Sequence, residues 1–361
     1  MTRNKKSEKT IWIAAGGTGG HISPAVSLSE KFISKDWQVI FFTLQKDLDY
    51  PDIRDLNNNK KIEFVAYPAP KLPKGIKSLI MFIKKMISCQ RILNQWKTLY
   101  PPRFVLGLGG YPSFPLLFWA KRKKLPYFLA EQNAVYGRIT KLMKKGAKLL
   151  FLSFPKENLQ VNEIVTGNPI RKIFKKYKIK KASPKKSDIK KILMIGGSQG
   201  AKDMNRLFLE IIKDPFFDKF LITISTGQKE YSQLAKYSSK NRIIFDFIVD
   251  MPNELQKNNL IISRAGSGSV FEILWAKKPA VFLPYPFAVY NHQKENALAI
   301  KKEGLAECID LHPFDSIYAK EQIKTLIESK KLFDMAEKLE NHIFSLEAEE
   351  IIFSEIDKLS T

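Results

Sequence analysis

Four glycines and a histidine follow a short apolar run near the start of the chain, in the stretch IWIAAGGTGGHISPAVSLSEKF at 11–32. Glycines at the start of a helix let backbone N–H groups approach an oxyanion, and the helix dipole adds partial positive charge there. Two further glycine turns follow apolar runs, at 107–110 and 196–200. Three such turns at predicted strand ends favour phosphate or diphosphate binding over a purely packing role.

His21 directly follows the first turn, at the predicted N-terminus of a helix. The helix dipole opposes an imidazolium at that place and favours the neutral base. The residues alone leave two interpretations open. His21 is either a catalytic base or a packed or capping histidine.

A second polar cluster occupies 263–297, where a Gly/Ser turn precedes a helix that carries Glu272. A Pro-rich loop and the sequence Asn291-His292-Gln293 follow. A carboxylate one to two turns into a helix can accept hydrogen bonds from two sugar hydroxyls. The alternative for Glu272 is an ordinary surface glutamate.

The glycine turns do not fit two common nucleotide motifs. From Gly17 the order G-T-G-G-H-I lacks the third glycine of the dinucleotide fingerprint, and the second predicted strand ends without the expected acid. No G-x-x-x-x-G-K-[ST] sequence occurs. We therefore expect neither a nicotinamide enzyme nor a P-loop hydrolase, and no cofactor.

The elements that must position these residues are strands alternating with helices, which predicts an α/β protein with parallel sheets and crossover helices. The strand candidates are TIWIAA, QVIFFT, IEFVAY, RFVLGL, PYFLA and KLLFLS, then KILMIGG, FLITIS, RIIFDF, NLIISR and PAVFLP. Gly17 and Gly197 lie in the turns of two similar predicted strand–turn–helix units, about half the chain apart. The lysine-dense segment 171–191 is the predicted connection between the two halves.

Composition limits the number of domains, the redox compartment and the kind of partner. The 361 residues are 44% hydrophobic, which favours two domains with large cores. Two distant cysteines allow no disulfide framework, so we expect a reducing compartment. We expect no secretory signal and no membrane-spanning helix. The net charge of +24 indicates either an anionic partner or a general lysine bias.

Several motifs together resemble the MurG family of bacterial peptidoglycan glycosyltransferases. They are GGTGGHISPA, GLGGYPSFP, EQNAVYGRITK, VTGNPIR, GGSQGAKDMN, FIVDM and RAGSGSVFE with NHQKENA, in order between about residue 11 and residue 300. The resemblance implies a GT-B fold, in which two Rossmann-like domains with parallel sheets face a central cleft. The implied domains are 1–168 for the acceptor and membrane, and 169–343 for UDP-GlcNAc, with a C-terminal helix at about 344–361 packing back on the first.

The resemblance also implies a reaction. The family moves GlcNAc from UDP-GlcNAc to the C4 hydroxyl of MurNAc in lipid I, the undecaprenyl-diphosphate-linked MurNAc-pentapeptide, and so makes lipid II. Transfer inverts the anomeric carbon without a metal, as a peripheral enzyme on the cytoplasmic face of the inner membrane. A departing diphosphate would be stabilised by N–H groups and an arginine.

Residues carry over from the family by motif. The implied catalytic residues are His21 and Glu131, which line the acceptor side with Tyr111. The loop that approaches the donor phosphates and the acceptor diphosphate is Thr18, Gly19 and Gly20. The other implied substrate-binding residues are Asn133, Arg171, Ser198, Asn205, Ile248, Ser267, Gly268, Ser269, Glu272 and Gln293, with Ile248 on uracil, Glu272 on the ribose and Gln293 on the transferred sugar.

Two positions depart from the family pattern. Ala130 stands where the family usually has a histidine before EQN, and the uridine loop has Ser269 where the family has threonine. The serine keeps the hydroxyl. The sequence Asp47-Leu48-Asp49 matches the metal clamp of glycosyltransferases with another fold, but it lies in the first half, and we predict no metal site.

The segment 74–96 carries apolar residues at helical spacing with lysines between them. It is either a core-facing helix or a helix that docks in an anionic membrane interface, with Met81 and Phe82 widening its apolar arc. The rival functions are another GT-B enzyme with a different lipid acceptor such as diacylglycerol, a UDP-sugar epimerase, and a nucleic-acid binder. No stacking motif for nucleic acid accompanies the charge, so we expect no nucleic-acid partner.

Overall fold

A computed structural model describes residues 9–73, 75–178, 189–196, 201–286, 291–341 and 347–360. The chain divides into two compact units. The first comprises Met1–Arg171 with Ser345–Thr361, and the second comprises Lys172–Phe344. Ser198, one of the predicted site residues, lies outside the described residues.

The first unit is built on a parallel sheet with the strand order β3-β2-β1-β4-β5-β6-β7. Its strands are β1 Thr10–Ala14, β2 Gln38–Thr43, β3 Ile62–Ala66, β4 Phe104–Gly107, β5 Tyr127–Glu131, β6 Leu150–Leu152 and β7 Glu163–Val165. Its first helices are α1 Gly19–Ser34, α2 Pro51–Leu56, α3 Ile76–Leu99, α4 Gly110–Arg122 and α5 Arg138–Met143. The chain order reverses between β1 and β4, so this is the edge where ligands bind in open α/β sheets.

The second unit repeats the same plan, with the parallel strand order β10-β9-β8-β11-β12-β13. Its strands are β8 Lys191–Ile195, β9 Leu221–Ser225, β10 Arg242–Phe245, β11 Leu260–Ser263, β12 Ala280–Phe282 and β13 Glu307–Cys308. Its helices are α6 Lys172–Lys175, α7 Lys202–Ile211, α8 Gln228–Leu234, α9 Met251–Lys257, α10 Ser267–Trp275, α11 His292–Lys302, α12 Ser316–Glu328 and α13 Lys331–Asn341. The predicted α/β class with parallel sheets is confirmed.

The last helix, α14 Ala348–Lys358, returns to the first unit and packs along α1. The ring of Phe353 lies 5.2 Å from that of Phe32, and Ile352 and Ile356 are buried beside them. The opposite face of the same sheet is covered by α3 and α4, where Trp12 stacks on Trp119 at 4.9 Å. Both faces of the strands are thus buried, as parallel sheets require.

Helix α3 is covered by the core only on part of its surface. Cys89 and Leu93 are buried and the ring of Phe82 packs near that of Phe114, so these side chains face α4 and the sheet. The apolar side chains toward the N-terminus of α3 remain exposed by 44% to 80%: Ile76, Leu79, Ile80, Met81, Ile83 and Ile87. The apolar periodicity of this segment therefore describes mainly a solvent-exposed face. The prediction that Phe82 widens this face is wrong, because its ring packs toward α4.

The predicted lysine-rich connection also needs correction at its start. Lys172–Lys175 forms the short helix α6 of the second unit, and Phe174 is fully buried with its ring 5.0 Å from that of Trp275. A buried aromatic side chain anchors this part of the segment despite the lysines around it. The remainder of the connection lies largely outside the described residues.

Candidate functional site

The first glycine turn joins β1 to α1 and is held in place by the carboxylate of Asp47. Gly16 and Gly17 have φ of +154° and +86°, which side-chain-bearing residues rarely adopt. The Gly17 N–H donates to Asp47 Oδ2 at 2.7 Å, and a Cβ at Gly16 would lie 2.6 Å from the same oxygen. Asp47 is only 1% exposed, so it holds the turn rather than facing solvent.

Not every N–H group of this turn is therefore open to an anion, because that of Gly17 is used inside the fold. Helix α1 begins at Gly19, and the first N–H groups of a helix have no partner within it. Gly19 and Gly20 supply those N–H groups. No acidic side chain stands in the first turn of α1, so the dipole there is not neutralised by a neighbour in the turn.

Thr18 and His21 interact across the first turn of α1. Thr18 is the N-cap residue, but its hydroxyl forms no capping hydrogen bond; instead Thr18 Oγ1 lies 2.9 Å from His21 Nδ1. When Nδ1–H donates to the threonine oxygen, Nε2 carries the lone pair and can accept a proton. The threonine hydroxyl can also donate to Nδ1, so the contact orients the ring in either tautomer.

The second glycine turn, between β4 and α4, lies against the same histidine. Gly109 and Gly110 have φ of +71° and +65°. A Cβ at Gly109 would lie 3.4 Å from both Cδ2 and Nε2 of His21, and one at Gly110 would lie 3.5 Å from Cε1. The two turns follow the neighbouring strands β1 and β4, so sheet topology brings His21 and this turn together.

Tyr111 completes this group from the first turn of α4. Its ring would be 3.5 Å from a Cβ at Gly17, and Lys71 Nζ lies 5.8 Å from the ring centroid. Burial, and secondarily the Asp47 carboxylate, raise the pKa of Tyr111. The phenol therefore stays neutral and can donate a hydrogen bond at physiological pH.

Glu131 ends β5, the next strand along, and its carboxylate is occupied by its own loop. Oε1 accepts from the backbone N–H and side-chain amide of Asn133, at 3.2 and 3.3 Å. Oε2 accepts from the Gly137 N–H at 2.9 Å and the Thr140 hydroxyl at 2.6 Å. Burial raises the pKa of Glu131 even though these four donors oppose the shift.

These contacts give Glu131 the task of holding the loop that carries Asn133. The side chain is only 2% exposed, and all four donors belong to the protein. The catalytic role that the sequence suggested for Glu131 stays a prediction. Asn133 is partly exposed, and the Glu131 carboxylate orients its side chain.

In the second unit, a Gly/Ser turn leads from β11 into α10. Ser267 is buried at the start of this helix, and a Cβ at Gly266 or Gly268 would meet nothing within 4 Å. The first turn of α10 contains no acidic side chain. Ser269 and Glu272 are partly exposed on the same helix, so the uridine-loop residues and the predicted ribose ligand share one short element.

Arg264, immediately before this turn, is a buried charged residue to which no sequence motif assigned a role. One terminal nitrogen donates to the carbonyls of Leu283 and Pro284 at 2.9 and 3.0 Å, and the other donates to Asp203 Oδ2 at 2.7 Å. Burial lowers the pKa of Arg264 against the opposing effect of Asp203. Arg264 thereby joins the starts of α7 and α10 to the loop after β12.

Comparison with known proteins decides the family. The glycosyltransferase family 28 N-terminal domain matches residues 11–152, and the family 28 C-terminal domain matches residues 191–351. A Thermodesulfovibrio yellowstonii protein is 33% identical over 83% of this chain and 84% of its own length. It is named UDP-N-acetylglucosamine–N-acetylmuramyl-(pentapeptide) pyrophosphoryl-undecaprenol N-acetylglucosamine transferase, as is a Wolbachia pipientis protein that is 32% identical over 91% of this chain and 93% of its own.

The chain belongs to the MurG family.

Solved structures agree with this family. The crystal structure of Acinetobacter baumannii MurG superposes with a TM-score of 0.76 and 25% identity, covering 97% of this chain and 99% of that one. The calicheamicin glycosyltransferase CalG4 superposes with a TM-score of 0.71 at 14% identity, over 97% and 98% of the two chains. At that identity the second match speaks for the fold alone. The predicted GT-B class is confirmed.

Two residues carried over from the MurG family have hydrogen-bond partners within the protein, and a third is buried. Asn205 is buried, and its amide nitrogen donates to the Thr226 carbonyl at 3.0 Å and to Glu230 at 2.6 Å. Gln293 Oε1 accepts the Tyr285 N–H at 3.0 Å. Ile248 is buried between β10 and α9. Their substrate contacts stay predictions.

Ala130, which departs from the family pattern, lies in the packed interior. Ala130 is buried in β5, and its carbonyl accepts the side-chain N–H of Gln132 at 3.0 Å. Gln132 Oε1 is buried and has no hydrogen-bond partner among the described residues. A Cβ at Gly109 would lie 3.4 Å from this oxygen and equally close to His21, so Gln132 lies near the place where the histidine ring packs.

The aspartates of the Asp47-Leu48-Asp49 sequence have separate tasks. Asp47 binds the Gly17 N–H, and Asp49 forms an exposed ion pair with Arg54 at 3.0 Å. Across the described parts of the chain, no group of three or more His, Cys, Asp or Glu side chains could hold a metal ion.

Proposed function

We propose that this chain transfers N-acetylglucosamine from UDP-GlcNAc to the C4 hydroxyl of MurNAc in lipid I, giving lipid II for peptidoglycan synthesis. The observation that carries the proposal is the arrangement of Thr18, His21 and Gly109 in a chain of the MurG family. It holds the His21 ring beside two glycine turns, and in the tautomer with Nδ1–H donating to Thr18, Nε2 can accept a proton. The names of the relatives supply the substrates that this arrangement would serve.

His21 acts as the general base. Nε2 accepts the proton of the MurNAc C4 hydroxyl, whose oxygen forms a bond to the anomeric carbon of GlcNAc. The bond from that carbon to the UDP oxygen breaks on the opposite face, so the configuration inverts. Proton transfer of this kind contributes about 10²- to 10⁴-fold to a rate.

The acceptor diphosphate binds at the N-terminus of α1. The N–H groups of Gly19 and Gly20 meet its charge together with the helix dipole. Tyr111 donates a hydrogen bond from its neutral phenol, and Glu131 keeps Asn133 oriented in the adjacent loop. Asp47 holds the Gly17 peptide, so its carboxylate is engaged by a backbone N–H of the protein.

The donor binds the residues carried over for UDP-GlcNAc. Glu272 accepts hydrogen bonds from the ribose hydroxyls, and the backbone of Ile248 recognises uracil. The residues Ser267, Gly268 and Ser269 lie along the uridine, and Gln293 contacts the transferred sugar. Arg171 and Ser198 stabilise the diphosphate of the departing UDP.

The exposed face of α3 docks on an anionic membrane at the cytoplasmic side. Its outward apolar residues alternate with the exposed lysines Lys77, Lys84 and Lys85. Phe82 of α3 packs near Phe114 in the first two turns of α4, and α4 begins at Gly110 beside His21. This packing supports the proposal, because it joins α3 to the helix that begins beside His21. No helix among the described residues could cross a membrane.

A transfer assay with two acceptors tests this proposal. Purified protein is given radiolabelled UDP-GlcNAc and either a short-chain lipid I analogue or diacylglycerol, each with and without EDTA. We expect label in the lipid I product only, unaffected by EDTA. Label in diacylglycerol alone would support the alternative GT-B enzyme, and loss of transfer with EDTA would contradict the metal-free mechanism.

A further inference from the structure

Three segments that are distant in sequence meet at one buried carboxylate in the first unit. Glu349, on α14, is 1% exposed. Its Oε1 accepts the Ser27 hydroxyl of α1 at 2.6 Å and the Ile170 N–H at 3.2 Å. Ser27 Oγ also lies 2.8 Å from the Ile170 carbonyl. Helix α1, helix α14 and the segment before Arg171 are thereby joined.

Attaching a helix through a buried carboxylate has an unfavourable desolvation free energy. The other buried positions of α14 carry apolar or small side chains, including Ala348, Ile352 and Phe353, and these suffice for packing. Burying a charge is unfavourable unless hydrogen bonds compensate it. Its neighbour Glu350 shows the ordinary arrangement, an exposed ion pair with Lys31. The position of Glu349 therefore points to directional contacts rather than to simple burial.

The backbone that Glu349 holds leads directly to Arg171, where the N-terminal segment of the first unit ends. The same carboxylate contacts α1, whose N-terminus carries Thr18 and His21. We propose that Glu349 is a positioning residue that fixes Arg171 with respect to α1, so that the last helix of the chain sets the geometry of diphosphate binding. This inference rests on the proposed function, which assigns Arg171 to the UDP diphosphate.

A double-mutant cycle tests the inference. Glu349→Leu, Arg171→Ala and the double variant are compared for UDP affinity by calorimetry, for KM of UDP-GlcNAc and for kcat. A buried hydrogen bond to a charged group is worth roughly a tenfold change, so we expect Glu349→Leu to raise Kd and KM by about that factor. In the Arg171→Ala background it should add almost nothing, because the two residues act in series.

Matched variants separate positioning from folding. Glu349→Gln keeps an acceptor oxygen and should recover most of the UDP affinity, whereas Glu350→Gln, on the exposed face of α14, should match the wild type. If Glu349→Leu does not fold, Ser27→Ala, which removes a hydrogen-bond partner of Glu349, takes its place in the cycle. A purely structural role predicts a lower kcat in proportion to the folded fraction, with KM unchanged.

Two results would overturn the inference while leaving the proposed function intact. One is an unchanged UDP affinity in Glu349→Leu, and the other is full additivity with Arg171→Ala. Failure of the wild-type protein to bind UDP would instead contradict the proposed function itself.

Discussion

At the scale of single residues, the site depends on hydrogen bonds that orient reactive groups before substrate binds. Thr18 orients the His21 ring, Asp47 holds the Gly17 peptide, and Glu131 orients Asn133. The sequence motifs identified His21, Thr18 and Asn133 because each lies inside a contiguous pattern. The contact of Asp47 with the first glycine turn was missed because Asp47 lies 30 positions from Gly17 and no local pattern connects the two.

Replacing Thr18 tests the tautomer argument. Thr18→Val removes the hydroxyl 2.9 Å from His21 Nδ1 while keeping the branched shape. A hydrogen bond contributes about 1 kcal/mol, so we expect kcat to fall roughly fivefold to tenfold with little change in KM. Steady-state kinetics measure this effect, and Thr18→Ser is the control that should retain activity. Equal kcat in all three proteins would remove Thr18 from the mechanism.

Glu131 gives stability a pH dependence whose sign is fixed by its burial. Its pKa is raised above the ordinary 4.5 in the folded protein, so the folded state binds the proton more tightly than the unfolded chain. Its contribution to stability is present below about pH 4.5 and is lost as pH rises through the folded pKa. Glu131→Gln does not titrate, so the unfolding free energy of wild type should fall relative to this variant as pH rises.

Urea unfolding at several pH values between about 4 and 7 measures that difference. Glu63→Gln, at an exposed position of β3, is the matched control. A wild-type stability that rises relative to Glu131→Gln over this range would show that the four donors, rather than burial, dominate the carboxylate.

At the scale of elements, the sequence predicted most strands and missed one edge strand of each sheet. The strands β7 and β13 have three and two residues and include Glu163 and Glu307, so they lack the apolar run by which the other strands were recognised. Helix α3 shows a second limit. Its apolar spacing is the same whether the stripe faces a core or a lipid, and only the packed structure separates the two.

The exposed face of α3 predicts how membrane binding can be removed without harming the fold. Ile80 is 54% exposed, so Ile80→Glu places a charge in the docking face and leaves the core intact. We expect reduced co-sedimentation with acidic phospholipid vesicles and unchanged transfer to a water-soluble acceptor analogue. Gln95→Glu adds the same charge at an exposed position further along α3 and should bind like wild type. Equal binding of all three proteins would exclude this face from docking.

At the scale of the whole molecule, the net charge of +24 fits a protein that works at an anionic surface. Each basic group near such a surface contributes about 1 kcal/mol, and salt screens this attraction over about 10 Å at 0.1 M. We expect vesicle binding to weaken steeply as salt rises while the residual binding depends on the apolar face of α3. Vesicle affinity measured across a salt series in wild type and Ile80→Glu separates the two contributions; a salt-independent affinity would assign the lysines to composition alone.

The two-unit organisation was predictable because the strand–turn–helix pattern recurs along the chain. The contacts of α14 were not, because Glu349 and Ser27 are 322 positions apart and nothing in either local sequence marks the pair. Long-range polar contacts of this kind are specified by the folded arrangement. They are also the contacts that connect the last helix to the residues proposed to bind diphosphate.

The most direct test of the account is label transfer from UDP-GlcNAc to a lipid I analogue by wild type and His21→Ala, with the product anomer determined by NMR. We expect transfer by wild type with inverted configuration, and a kcat lower by about 10²- to 10⁴-fold in His21→Ala. Absence of transfer, retained configuration, or a wild-type rate in His21→Ala would contradict it.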